Sequence, residues 1–317
     1  MKPRRTILLT GFLGLLSVAP ALAQHADPDS ARIEIGDVTR FLHVLDTLGA
    51  ARTYNDSALV LFRDYYLPGS PGLRAFIRAR ISSPFELLDQ MTSHHAYYAH
   101  LPRSLAALAA AQTEIRVALR RFKQLWPEAR FADTYFLVGR MNSGGTTSRT
   151  AVLIGAEMYG RDADAPESEL IPWERAVLRD LSMVPTIVLH EQMHVNQPGV
   201  QRPTLLMQAL VEGGADFVAE LVTGRNINEH VHAWADPREA ALWEEFRAAM
   251  DGYDYTSWFG SSRPDRPADV GYWMGYRIAR AYYLHASDKL RAIGDILHVS
   301  DADAFLAASG YPEATKQ

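Results

Sequence analysis

His190 and His194 stand four residues apart with Glu191 beside the first, and Glu212 and Asp216 repeat that spacing shortly after. The first group, His190-Glu191-Gln192-Met193-His194, is an H-E-x-x-H pattern. The second, Glu212-Gly213-Gly214-Ala215-Asp216, is E-x-x-x-D. On a helix, residues four apart lie on one face, one turn from each other. Two imidazole nitrogens so placed can reach one zinc ion, and Glu191 can touch a metal-bound water without being a ligand. Glu212 follows His194 by 18 residues, which leaves room for a turn-back loop and a second helix packed on the first. Glu212 is then the third ligand, and Asp216 accepts the N–H of a ligand histidine and fixes its tautomer. The expected cofactor is one Zn2+ per chain.

Three protein ligands leave an open position for water. Zinc acidifies that water and polarises a carbonyl. Glu191 is placed to take the water's proton and pass it to a leaving amine. The expected reaction is metal-assisted amide hydrolysis, with a peptide or protein as substrate. The three-histidine class requires Gly at position 197 and His at 200, where this chain has Gln197 and Val200. The inverted H-x-x-E-H order is absent, as are G-x-S-x-G and a phosphate-cradling glycine loop. A different reading is an envelope binding or assembly protein that holds zinc without turnover. Glu191 argues against it, because such a protein needs no base there.

A hydrolase of this kind also needs a donor for the oxyanion. Gly271-Tyr272-Trp273-Met274-Gly275-Tyr276-Arg277 offers Tyr272, Tyr276 and Arg277. The same stretch reads equally as an aromatic core stripe with glycines at close helix contacts, and both readings stand. His94, His95 and His100 read as surface or boundary residues without a recurring acidic partner. His230 and His232 lie two apart and would share a metal only on extended chain.

The elements that position these residues are mostly helical. Pro185 sits where the H-E-x-x-H helix starts, and Pro198-Gly199 is where it stops. Its flanks, Val184, Ile187, Val188 and Leu189, are apolar, so it is a buried helix. Thr204 starts the second helix, which runs to Gly224, and Gly213, Gly214 and Ala215 are expected to let it approach the first closely. Upstream, Asp37 is read as the cap of a helix carrying Val38, Phe41, Leu42, Leu45 and Leu48, ended by Gly49. Ser70-Pro71 and Ser83-Pro84 each pair a cap with proline at the first helical position. Residues 103–126 are rich in Ala, Leu and Arg and end at Pro127. Tyr135-Phe136-Leu137-Val138 and Thr150-Ala151-Val152-Leu153-Ile154 read as two strands of a β-hairpin around the turn Asn142-Ser143-Gly144-Gly145-Thr146. Its edge could lie beside the zinc and accept an extended peptide as an added strand. Helical periodicity resumes at Pro172 and runs, with breaks, to about Ala308. The fold class expected is α+β, predominantly helical, with a small sheet beside the active-site helix.

Residues 1–23 read as an export signal: basic Lys2, Arg4 and Arg5, an apolar run from Ile7 to Val18, and Ala21-Leu22-Ala23 before a cleavage point. The apolar run is short for a membrane span. Arg4-Arg5-Thr6-Ile7-Leu8 also resembles a twin-arginine signal. Cleavage moves the formal net charge from −5 to −8 by removing three positive charges, and leaves residues 24–317 as one domain without a membrane anchor. Such an acidic protein repels nucleic acid and anionic membranes. The chain has no cysteine, so disulfides, thiolate ligands and a cysteine nucleophile are excluded. The expected location is periplasmic or secreted.

These motifs together resemble a known family, the predicted zinc-dependent proteases of a bacterial group with a domain of unknown function, related to gliding-motility lipoproteins. The likeness rests on His190 to His194, Glu212 to Phe217, Gly271 to Arg277 and the Asn142 to Thr146 turn. It implies a zincin-like fold and a peptidase activity. The chain lacks the cysteine that would make it a lipoprotein.

Overall fold

A computed structural model describes residues 24–148, 151–260 and 265–312 of the chain. The segment read as an export signal and Thr150 of the second β-prone run lie outside them. An amino-terminal helical layer comprises α1 (Gly36–Leu48), α2 (Tyr54–Leu61), α3 (Pro71–Phe76), α4 (Pro84–Ser93), α5 (His95–Ser104) and α6 (Leu108–Leu125). Four strands follow in space: β1 (Ile33–Glu34), β2 (Asp133–Leu137), β3 (Gly145–Thr147) and β4 (Ala151–Gly155). The carboxy-terminal half is α7 (Pro172–Val177), α8 (Val184–Asn196), α9 (Leu205–Thr223), α10 (Glu229–Ala235), α11 (Glu239–Ala249), α12 (Val270–His285), α13 (Lys289–Leu297) and α14 (Ala302–Ser309). The fold is therefore α+β and mainly helical. None of the described helices is long and apolar enough to cross a membrane.

The caps expected from sequence form where proline follows serine. Ser70 and Ser83 accept from the backbone N–H groups of Leu73 and Glu86, and Thr204 does the same for Met207. Asp37 is not a cap. It lies inside the first turn of α1, buried, where its carboxylate pairs with Arg40 and accepts from Ser70 N–H. The stretch 103–126 holds the end of α5 and the whole of α6, with a break between Ser104 and Leu108.

The sheet corrects the hairpin expected across 135–154. Its order is β1-β2-β4-β3; β2 and β4 run parallel, with Tyr135 opposite Leu153. The antiparallel partner of β4 is β3, with Thr146 opposite Leu153. The turn cluster at 142–146 thus feeds a strand instead of closing the hairpin. β4 is buried along its whole length, as a central strand covered on both faces must be. β3 is the terminal strand, and it lies against α8.

Gln192 fixes α8 to this sheet. Its fully buried carboxamide accepts from Ala132 N–H (3.0 Å) and donates to Ala132 C=O (2.8 Å). One turn on, Asn196 repeats the pattern with Arg130 N–H (2.8 Å) and C=O (2.9 Å). Two side chains on one helix face thereby satisfy the chain leading into β2 as a neighbouring strand would.

The glycines of the second motif act on a different contact from the one expected. A Cβ on Gly213 would stand 2.1 Å from Tyr276 N, and one on Gly275 would stand 1.7 Å from Ala209 O. They let α9 and α12 touch backbone to backbone. Gly214 faces Ile296 of α13. α9 meets α8 through the side chains of the site, His190 with Asp216 and both histidines with Glu212.

Candidate metal centre

The buried α8 and α9 bring three ligand atoms together. His190 Nε2 and His194 Nε2 are 3.1 Å apart, and Glu212 Oε2 lies 3.5 Å and 3.3 Å from them. With metal–ligand bonds of 2.0–2.1 Å, the edge of a tetrahedron is roughly 3.3 Å. The triangle is thus the size of one face of a tetrahedral zinc site, and these three residues are the group among the described residues able to hold an ion.

Each ligand is held from behind. His190 Nδ1 lies 2.7 Å from Asp216 Oδ1, and the other Asp216 oxygen accepts from Asn228 Nδ2 (2.7 Å). His194 Nδ1 lies 2.6 Å from Gln197 Oε1, whose amide nitrogen donates to Val211 C=O (2.7 Å). Glu212 Oε1 accepts from Gln208 Nε2 (3.0 Å). His194 Nδ1 donates to Gln197 and His190 Nδ1 faces a carboxylate at ion-pair distance, so with Nδ1 protonated in both rings the two Nε2 lone pairs point at each other and at a carboxylate oxygen. Only a cation or bound protons relieve that convergence. The proton affinities agree. Burial disfavours charge on His190, but Asp216 and then Glu212 outweigh it and hold the imidazole well above the ordinary histidine range. His194 is raised in the same way, against burial, by Glu212. Burial pushes Glu212 up, but His194 and His190 overcome it and hold the carboxyl below its usual range. A divalent cation replaces those protons with charge of the same sign.

Glu191 is buried beside the triangle and outside it. Its Oε2 accepts from Thr147 Oγ1 at 2.8 Å, and the same hydroxyl reaches Glu191 C=O at 3.0 Å. The edge strand β3 thus fixes the carboxylate. Gly145 makes the approach possible: a Cβ there would lie 2.5 Å from Glu191 Oε1.

A cavity of ≈ 250 Å³ opens over the site, with His190, Glu191 and Tyr272 in its wall. The Tyr272 ring stacks on His190 (centroids 6.1 Å, 25° between planes). Its hydroxyl bonds to no described residue. Burial, and then Glu212, push the phenol well above its ordinary range, so it stays protonated and able to donate. Tyr276 and Arg277 are engaged elsewhere. Tyr276 packs edge-on against His232 at 4.6 Å, and burial, then the Glu220 carboxylate, push its phenol above the ordinary range. Arg277 pairs with Glu239 through Nε (3.1 Å) and Nη2 (2.8 Å). Of the three residues read as oxyanion donors, only Tyr272 lines the cavity over the metal triangle. For the hydrolase expected from sequence, Tyr272→Phe should lower kcat about tenfold or more with KM little changed, while Tyr276→Phe should stay within about twofold of wild type. Steady-state kinetics on one peptide separates the two; equal kcat for wild type and Tyr272→Phe would remove Tyr272 from the chemistry.

Asn228, Gln197 and Gln208 were not identified from sequence. Gln197 and Gln208 stand three residues after His194 and four before Glu212, spacings that place a side chain next to a ligand on or just past a helix. Asn228 comes from the loop before α10 and carries no local signal. His94 is not a surface residue: it is buried, with Nε2 2.9 Å from Glu174 Oε2. His100 has an acidic partner too, Asp162 Oδ1 at 2.8 Å. Both partners come from the segment after the sheet, far in sequence. His230 and His232 lie on helical chain, with Arg179 and Asn226 as their neighbours.

No family model, curated protein or solved structure matches the chain.

Proposed function

We propose that this chain is a zinc-dependent, zincin-like metallopeptidase that hydrolyses amide bonds of peptides or proteins. The observation that carries the reading is the triangle of His190 Nε2, His194 Nε2 and Glu212 Oε2, sized for a tetrahedral ion, with Glu191 held beside it and outside it. Zinc in that position supplies Lewis acidity toward a water and a substrate carbonyl.

The remaining work falls to the chain's own residues. Glu191, in the cavity wall, accepts the proton of the attacking water on its carboxylate and delivers it to the leaving amine. Thr147 keeps the carboxylate in place through its hydroxyl. Tyr272, protonated and with no partner among the described residues, donates to the oxygen that gains charge as the carbonyl becomes tetrahedral. Asp216 and Gln197 hold the histidines in the Nε2-binding tautomer. β3 offers its outer edge to an extended substrate, as a terminal strand can. The export pattern of residues 1–23 adds the place of action, the periplasm or the exterior. This is the activity that the resemblance to the predicted bacterial zinc proteases implies.

The test is metal analysis joined to a digest. Purified protein is expected to contain about one zinc per chain and to cleave members of a peptide library. Chelation should abolish cleavage and added zinc restore it. Protein that takes up no zinc when supplied with it would overturn the proposal.

A further inference from the structure

The cavity over the metal triangle is small. Its ≈ 250 Å³ falls below the ~300–1,000 Å³ usual for sites that enclose a ligand, so it has room for a reacting amide and little more. A larger groove of ≈ 750 Å³ opens beside it, and the two share Trp173, Val177 and His230. The rest of its wall includes Ile171, Pro172, Trp234, Pro267 and Ala268. Ile171 is 53% exposed there, an apolar side chain left in water at the groove's mouth. Two charged residues also line it: Asp265, which is exposed, and Arg266, whose Nη1 donates to Glu245 at 2.8 Å and whose guanidinium stacks on Trp258 at 4.5 Å.

The junction of the two cavities has a defined chemistry. Arg179 Nη2 lies 2.8 Å from His230 Nδ1. A guanidinium only donates, so Nδ1 must accept, and the neutral imidazole carries its proton on Nε2. That nitrogen bonds to no described residue. Burial, then Arg179, then His232, bring the His230 pKa down to about 4, so the ring is neutral at working pH. The neck therefore presents an uncharged N–H donor between an apolar groove and the metal pocket. A backbone carbonyl is the partner such a donor suits, with an apolar side chain continuing into the groove.

We propose that the groove between Trp173 and Trp234 binds a large apolar or aromatic residue of the peptide substrate, next to the bond that is cut, with His230 holding that residue's backbone carbonyl. The assignment rests on the peptidase reading above and names the substrate class for it. Continuity with the metal pocket selects a substrate residue as the occupant, and the apolar wall selects its side chain.

The experiment uses the full, zinc-supplied Glu191→Gln protein, so that binding is read without turnover. It is titrated calorimetrically with two blocked five-residue peptides, one all alanine and one with a central phenylalanine. The phenylalanine peptide is expected to bind about tenfold more tightly or better, the discrimination an apolar pocket gives. In the added variant Trp234→Ala the ratio should fall to about twofold or less, and in Trp234→Phe it should persist. Equal affinities in the parent protein, no binding of either peptide, or a preference that survives Trp234→Ala in a folded protein would each overturn the groove assignment. Cleavage of both peptides by wild type is measured in parallel. A binding preference without any cleavage supports the groove and overturns the peptidase reading; cleavage without a preference does the reverse.

Discussion

Glu191→Gln is expected to retain one zinc per chain and to lose peptide hydrolysis by about 10²–10⁴-fold, the contribution of a positioned general base. The two halves of that expectation have separate causes. Metal retention follows because no Glu191 atom belongs to the ligand triangle of His190, His194 and Glu212. The substitution also keeps shape. A glutamine oxygen can accept from Thr147 as the carboxylate does at 2.8 Å, and Gly145 leaves the same space beside it. The loss follows because a neutral amide cannot take a proton from water at the moment of attack. Zinc content and kcat on one peptide, measured on the same preparation, decide the matter. A kcat within tenfold of wild type would reassign the base; loss of zinc would mean that Glu191 is a ligand.

The second large effect is on stability. Gly275→Val should destabilise the protein by about 3 kcal/mol or more, at or beyond the upper end for overpacked contacts, and lower Tm by roughly 6–12 °C for a domain of this size. The new Cβ would stand 1.7 Å from the Ala209 carbonyl oxygen, and the facing Gly213 has only 2.1 Å to Tyr276 N. Backbone meets backbone on both sides, so no side chain can swing away and α9 and α12 must part. Glu212 is the neighbour of Gly213, so the same displacement should also weaken zinc binding. Gly199→Ala is the control, since a Cβ there meets nothing within 4 Å. Thermal unfolding followed by circular dichroism gives both values. Equal Tm for the two variants would contradict the packing described.

What sequence conveyed, and what it did not, divides by distance along the chain. The pairs His190/His194 and Glu212/Asp216 were legible because helical periodicity alone puts each pair on one face. The caps at Ser70 and Ser83 and the helix start at Thr204 were legible because each side chain bonds only three residues on. The sheet was misread where pairing is not local. Two β-prone runs flanking a glycine turn look like a hairpin, and nothing in either run says that they lie parallel with a third strand taking the antiparallel place. The role of Gly213 was missed because its partner Gly275 stands far along the chain. Tyr272, Tyr276 and Arg277 could not be separated in sequence, since their packing against α8, α10 and α11 decides which of them reaches the cavity. His94 reads as a surface or boundary residue in sequence because its partner Glu174 is also distant.

The carboxamide of Gln192 bears on how far this motif can vary. H-E-x-x-H is written with two free positions, but in this fold neither is free. Gln192 and Met193 are both wholly buried, and among the described residues Gln192 alone satisfies the N–H and C=O of Ala132. An apolar replacement would strand a buried donor and acceptor at about 1–3 kcal/mol each, comparable with much of a domain's whole stability margin. A library randomised at these two sites would therefore be selected for survival of the fold before any variant was judged on zinc or on turnover. In this chain the residue tolerated at position 192 is set by the backbone leading into β2 and not by the metal.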